Sequence, residues 1–164
     1  DSVWDIVLNF FFFMLIAHET TGTYFMALIA FLLFQMQGTL YNYYYVILRN
    51  QKLNSDTTSR IFEYKTPIAF VYESQINVNI LFFLYKAFYG VFDFIVYQLE
   101  KSASEVKNMP KWFMSFVSIY GLGFQLLLMA LFLSLGLKAY IILFFIVYSL
   151  FIPLFIGIRK VFVR

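Results

Sequence analysis

Apolar residues in this chain come in long runs and not in strict alternation. Residues 24–48, 111–137 and 139–158 are nearly unbroken apolar stretches, each at or above the ~20 residues that a helix needs to cross a hydrocarbon core. The run at 6–17 is shorter and is entered through Asp1, Ser2, Val3, Trp4 and Asp5, so it is expected to be a helix met partway along, in a fragment or a processed product. The stretch 77–99 differs in kind. Asn79, Lys86, Asp93 and then Glu100 recur every seventh residue, with Gly90 and Tyr97 near the same stripe. A seven-residue repeat drifts by only about 20° per heptad on a helix, which leaves one narrow polar face on an apolar cylinder. That pattern predicts an amphipathic helix lying in the membrane plane.

Punctuation agrees. Thr66-Pro67 breaks the chain ahead of 77–99, and Met109-Pro110 does so just before Trp112 opens the next span. Gly136 and Lys138 mark a short turn between the last two spans, and Pro153 should bend the last one beside Ser149. Tyr41, Tyr43, Tyr44, Tyr45 and Trp112 fall near the expected inner boundary, where amphipathic rings favour the headgroups.

Charge chooses between four crossings and five. If 77–99 stays on the surface, Arg49, Lys52, Arg60, Lys65, Lys86, Lys101, Lys107, Lys111, Arg159, Lys160 and Arg164 share one side, and Lys138 stands opposite. If it crosses, the bias nearly vanishes. The positive-inside rule therefore selects an all-α, polytopic membrane helix bundle of four spans plus one in-plane helix, with Asp1 and the C-terminus cytoplasmic. Residues 1–164 form a single integral membrane domain, in which 49–111 is the long cytoplasmic connection.

Composition narrows the function. The chain is 62% hydrophobic and 13% charged, where a soluble domain carries roughly a quarter charged residues. A net charge of +3, scattered along the chain, excludes a nucleic-acid partner and leaves membrane lipids as the surroundings. No cysteine and one histidine exclude thiolate and multi-His metal sites, so a bound metal would be held by oxygen.

Asp1 and Asp5 are the sharpest candidates. A separation of four places two carboxylates on one helix face, close enough to share a divalent cation that offsets their repulsion and lost hydration. The simpler explanation is that both merely suit the start of a helix. On the second span Gln35, Gly38, Asn42, Tyr45 and Arg49 step by three and four along one face. That face is either interhelical glue or the wall of a site, in which Asn42 and Arg49 would bind substrate. His18 and Glu19 read as a solvated outer loop.

Asp1-Ser2-Val3-Trp4-Asp5, at the cytoplasmic start of a membrane helix, resembles the closing Asp-x-x-x-Asp of the CDP-alcohol phosphatidyltransferase family. The family's full motif is Asp-Gly-x-x-Ala-Arg followed, after a short gap, by Gly-x-x-x-Asp-x-x-x-Asp, in a fold of six spans. The resemblance implies that this chain holds the last four spans of such a parent. No Asp-Gly or Ala-Arg pair occurs in the 164 residues, so the first half of the motif would lie upstream, and 49–111 would be an enlarged connection. It further implies Mg2+ or Mn2+ held by Asp1 and Asp5, with Asp5 also the general base. The reaction would move a substituted phosphate from a CDP-alcohol to an acceptor alcohol with release of CMP, in a homodimer facing the cytoplasm of a bacterial inner membrane or an endoplasmic reticulum. The 164-residue chain alone would then be inactive. The alternative from a different class is a non-catalytic multi-pass subunit of a larger complex, and a transporter ranks third for want of paired broken helices.

Overall fold

In lipid every backbone N–H must find its partner within its own segment, so apolar runs of this length wind into helices. The computed structural model describes residues 2–20, 22–53, 66–106 and 108–163, and no strand occurs among them. The helices are α1 (Ser2–Glu19), α2 (Tyr24–Leu53), α3 (Gln75–Glu100), α4 (Lys111–Val117), α5 (Leu122–Ser134), α6 (Ile141–Tyr148) and α7 (Phe151–Phe162). Short 3-10 turns at Lys101–Glu105, Ser118–Tyr120 and Lys138–Tyr140 link or extend them.

Three segments are long and apolar enough to cross a membrane: Tyr24–Gln51, Gln75–Glu105 and Lys138–Phe162. The pair Lys111–Tyr120 and Leu122–Ser134, bent by 46°, makes a fourth if it is one broken span. These mark an integral membrane protein. α3 is among the candidates although its heptad stripe pointed to the membrane plane.

α1 and α2 form a tight antiparallel hairpin. Gly22 N–H donates to the Ala17 carbonyl at 3.0 Å and closes the first helix, and fully buried Ala17, Ala27 and Ala30 let the two backbones approach. Further along the hairpin, Phe13, Phe34 and Phe145 meet edge to face with centroids 5.2–5.7 Å apart, which ties α6 to the pair. The Phe10 to Phe13 run therefore divides its labour: Phe13 is wholly buried, while Phe11 is exposed.

The bend between α4 and α5 falls at Gly121, where a Cβ would stand 3.1 Å from the Ser118 carbonyl oxygen and 3.5 Å from the Tyr41 ring. At the far end of α5, Gly136 (φ +70°) donates to the Leu133 carbonyl and Leu137 to that of Phe132, the paired bonds of a Schellman turn. The last span breaks at Ser149 and Leu150, four residues ahead of Pro153, as the missing proline N–H requires. The freed Ser149 carbonyl accepts from Ile152 N–H at 2.9 Å, and the Ser149 hydroxyl turns back to the Ile146 carbonyl.

Two ends of the bundle are chemically distinct. At one, Lys138 meets Glu19 at 3.3 Å. At the other, the ends of α2, α3 and α7 and the start of α4 converge: the Gln51 side chain holds Val106 and Met109, and Lys160 donates to the Leu99 carbonyl.

Candidate functional site

Two polar clusters are built on α2, and they differ in how well their groups are paired. The first is at the converging end. Glu100, fully buried at the last turn of α3, receives Arg159 through two bonds, Nε to Oε2 at 2.6 Å and Nη2 to Oε1 at 3.0 Å. The Tyr44 hydroxyl donates to Oε2 at 2.8 Å, Arg159 Nη2 also reaches Ser102 Oγ at 2.6 Å, and the Tyr43 hydroxyl donates to the Glu100 carbonyl at 3.1 Å. Lys160 adds a second cation 3.8 Å from Oε1. A charge without water is tolerable only when paired and hydrogen-bonded in this way. The arrangement locks α7 and α3 to α2, with Lys160 and Ser102 at its exposed edge.

The second cluster, one turn back along α2, surrounds a cavity of about 330 Å³. Asp5 and Asn9 come from α1, Gln35, Gly38, Thr39 and Asn42 from α2, Tyr85, Tyr89 and Asp93 from α3, and Gln125 from α5. Each polar pair follows from helical spacing, since Asp5 and Asn9, Gln35 and Thr39, and Tyr89 and Asp93 are four apart. Gln35 Nε2 and Thr39 Oγ1 are buried with no hydrogen-bond partner among the described residues, although both residues are more than nine-tenths covered. Beside them, Gln125 Nε2 donates to Gln37 Oε1 at 2.9 Å, and Gln37 Nε2 to the Phe145 carbonyl, so the amides one step away are satisfied.

A third feature adjoins this one. A cavity of about 740 Å³ lies between α1, α2 and α3, walled by Ile6, Phe10, Phe31, Met36, Phe88 and Phe92 among others, with no charged side chain among the described residues of its lining.

Asp5 and Asn42, expected as site residues, are thus brought to one cavity. Arg49 is exposed, two turns beyond Asn42, and is not part of that lining, so its expected reach to a substrate phosphate is not supported. Asp1 lies outside the described residues, and with it the Asp1 and Asp5 pair. The heptad stripe of α3 also divides. Glu100 and Asp93 face the protein, whereas Lys86 is exposed over the Phe82 ring, and Asn79 accepts from Gln75. Phe83, Val91, Phe94 and Leu99 turn outward. The stripe, expected to meet headgroups, is in its second half the face that packs inward.

The donors facing the polar cavity are carboxylate, amide and hydroxyl, a hard set of the type that suits Mg2+ or Mn2+. Among the described residues no three acidic or histidine side chains gather, so Asp5 and Asp93 are the carboxylates this part of the chain offers. Sequence reasoning missed Thr39, Asn9 and the Glu100–Arg159 pair. Asn9 and Thr39 stand four residues after Asp5 and Gln35, which is the signal that could have found them. No family model matches the chain, and no curated protein or solved structure matches it either.

Proposed function

We propose that this chain supplies one wall of an integral membrane phosphotransferase site, at which an acceptor alcohol attacks the pyrophosphate of a CDP-alcohol and CMP leaves. The observation that carries the reading is the polar cavity itself. Asp5, at the start of α1, lines the same cavity as Gln35 and Thr39, whose buried Nε2 and Oγ1 have no partner among the described residues, and buried unpaired polar groups in a membrane helix bundle are costly. Asp5 accepts the proton of the attacking hydroxyl, the new O–P bond forms, and the P–O bond to CMP breaks. Asn42 and Asn9 orient the hydroxyl by hydrogen bonds. A divalent cation, held by Asp5 with Asp1, would neutralise the pyrophosphate charge and stabilise the leaving CMP.

The site faces the cytoplasm in this reading. Its support is the gathering of Lys101, Lys111, Arg159 and Lys160 at the end where α2, α3 and α7 converge, against Lys138 at the other. In this reading α3, a candidate span by length and apolarity, stays on the side where α2 ends, because the two helices end together and a crossing would carry the charged stretch 54–74 over the bilayer. Single cysteines replacing Ser74 and Ser104, in a chain with no thiol background, should label from the same side, and labelling from opposite faces would overturn this topology.

The catalytic claim is tested in the full-length parent by Asp5→Asn, which keeps size and one acceptor oxygen but loses charge and basicity. CMP release at saturating magnesium should fall more than a hundredfold with the melting temperature unchanged. Retention of a tenth of the rate is a barrier change of at most ~1.4 kcal/mol, too little for a base that also holds a cation, and would return Asp5 to a helix-start role.

A further inference from the structure

The Glu100 cluster carries more positive charge than its carboxylate can match. Arg159 commits its guanidinium to both oxygens of Glu100 and to Ser102, so the carboxylate has a bidentate partner before any lysine is counted. Lys160 stands 3.8 Å from Oε1 with its side chain half in solvent, and donates to the Leu99 carbonyl at 3.2 Å. An ammonium has three donors, so further hydrogen bonds are left to give. Lys101 directly follows Glu100, opens the 3-10 turn Lys101–Glu105, is exposed, and makes no ion pair among the described residues. Three cations therefore gather about one carboxylate, and Glu105, at the far end of that turn, is exposed and is not ion-paired to any of them.

The surroundings say what a bound anion is attached to. Leu99, Val161 and Phe162, the sequence neighbours of these lysines, are all exposed. On a membrane bundle such side chains meet acyl chains, and a lysine beside them lifts its ammonium to the level of the headgroups. The segment that carries Lys101 is also fixed in place: Ala103, Val106 and Met109 are buried, and the Gln51 side chain holds the last two. A soluble anion would use the lysines alone, whereas an anion with chains uses both the charge and its apolar rim. We propose that Lys101 and Lys160 bind the phosphate of an anionic glycerophospholipid whose chains lie along Leu99, Val161 and Phe162. The lipid offsets the mutual repulsion of Lys101, Arg159 and Lys160 where α3 meets α7. This goes beyond the transfer reading and does not rest on it, since the polar cavity is lined by none of these residues.

The test uses the purified chain in phosphatidylcholine nanodiscs, with photoreactive phosphatidylglycerol or photoreactive phosphatidylcholine as trace probe. Captured phosphatidylglycerol should map to 99–104 and 159–162 and exceed phosphatidylcholine about tenfold. A lysine near the surface changes the affinity for an anionic lipid about fivefold, so Lys101→Gln and Lys160→Gln should each lower the preference by that factor and together abolish it. Lys160→Arg keeps the charge and should keep the preference. Lys86→Gln, earlier on α3, and Lys138→Gln, at the opposite end of the bundle, should leave it unchanged. Lys101 makes no side-chain bond among the described residues, so Lys101→Gln carries the test even if Lys160→Gln disturbs the Glu100 cluster. Equal capture of the two lipids would mean that bulk acyl chains merely cover the apolar rim. An equal loss in Lys86→Gln or Lys138→Gln would mean that net charge alone draws the lipid. Displacement by inorganic phosphate would mean a site for a soluble anion. Any of these results, or an unchanged preference in Lys101→Gln, overturns the proposal.

Discussion

Two polar clusters sit about a turn apart on α2 and are built on opposite terms. Around Glu100 a buried carboxylate meets Arg159, Tyr44 and Lys160, and the guanidinium is shared with Ser102. A cavity is lined by Asp5 and Asp93, and beside it Gln35 and Thr39 bury polar atoms that no described residue meets. The contrast lies in two atoms, Gln35 Nε2 and Thr39 Oγ1, which are as buried as the Glu100 carboxylate and have no partner among the described residues. The closed cluster holds helices together, and the open one is the proposed site.

The comparison breaks first at its strongest joint. Arg159→Met leaves Glu100 buried with only the half-exposed Lys160 at 3.8 Å as counter-ion and should cost about 3 kcal/mol in unfolding free energy. The double variant Glu100→Leu with Arg159→Met should recover most of that loss, because it removes both charges. A double variant as unstable as the single one would show that the pair does more than lock α3 to α7.

Next in size is the amide bridge. Gln37→Leu removes the link from α2 to Gln125 and to the Phe145 carbonyl, and interhelical bonds of this type average about 0.6 kcal/mol with a ceiling near 1.7. A loss within that range, measured by equilibrium unfolding in the same bilayer, would place Gln37 with the closed cluster. Smallest is the exposed pair at the opposite end. Lys138→Met should change stability by less than about 1 kcal/mol, since Lys138 and Glu19 are half in solvent.

Much of this bundle was legible before any coordinates. The candidate spans at α2 and at the last two runs follow from run length, and the break before α7 follows from Pro153, whereas the bend at Gly121 was not expected. Of the α2 face read as Gln35, Gly38, Asn42, Tyr45 and Arg49, the first three line one cavity and the last two do not, because a period of 3.6 is visible in sequence and its far end is not. What was not legible depends on which helix lies opposite. Glu100 and Arg159 are 59 residues apart, and neither position announces its partner. The α3 stripe was read as water-facing because spacing reveals that a face exists and does not reveal what covers it. Arg49 continues the α2 face in register and is exposed, outside the cavity that Gln35, Gly38 and Asn42 line.

The most direct test sets Thr39→Val beside Tyr44→Phe. Each removes a single buried hydroxyl from α2, about one turn apart, with little change of shape. Tyr44→Phe should lower the unfolding free energy by about 1.5–3 kcal/mol, because its hydroxyl bonds a charged carboxylate. Thr39→Val should be neutral or stabilising, because a buried hydroxyl without a partner carries its desolvation cost unrelieved. Equal losses in the two variants would mean that Thr39 is paired like Tyr44, and the distinction between a closed structural cluster and an open binding cavity would fall.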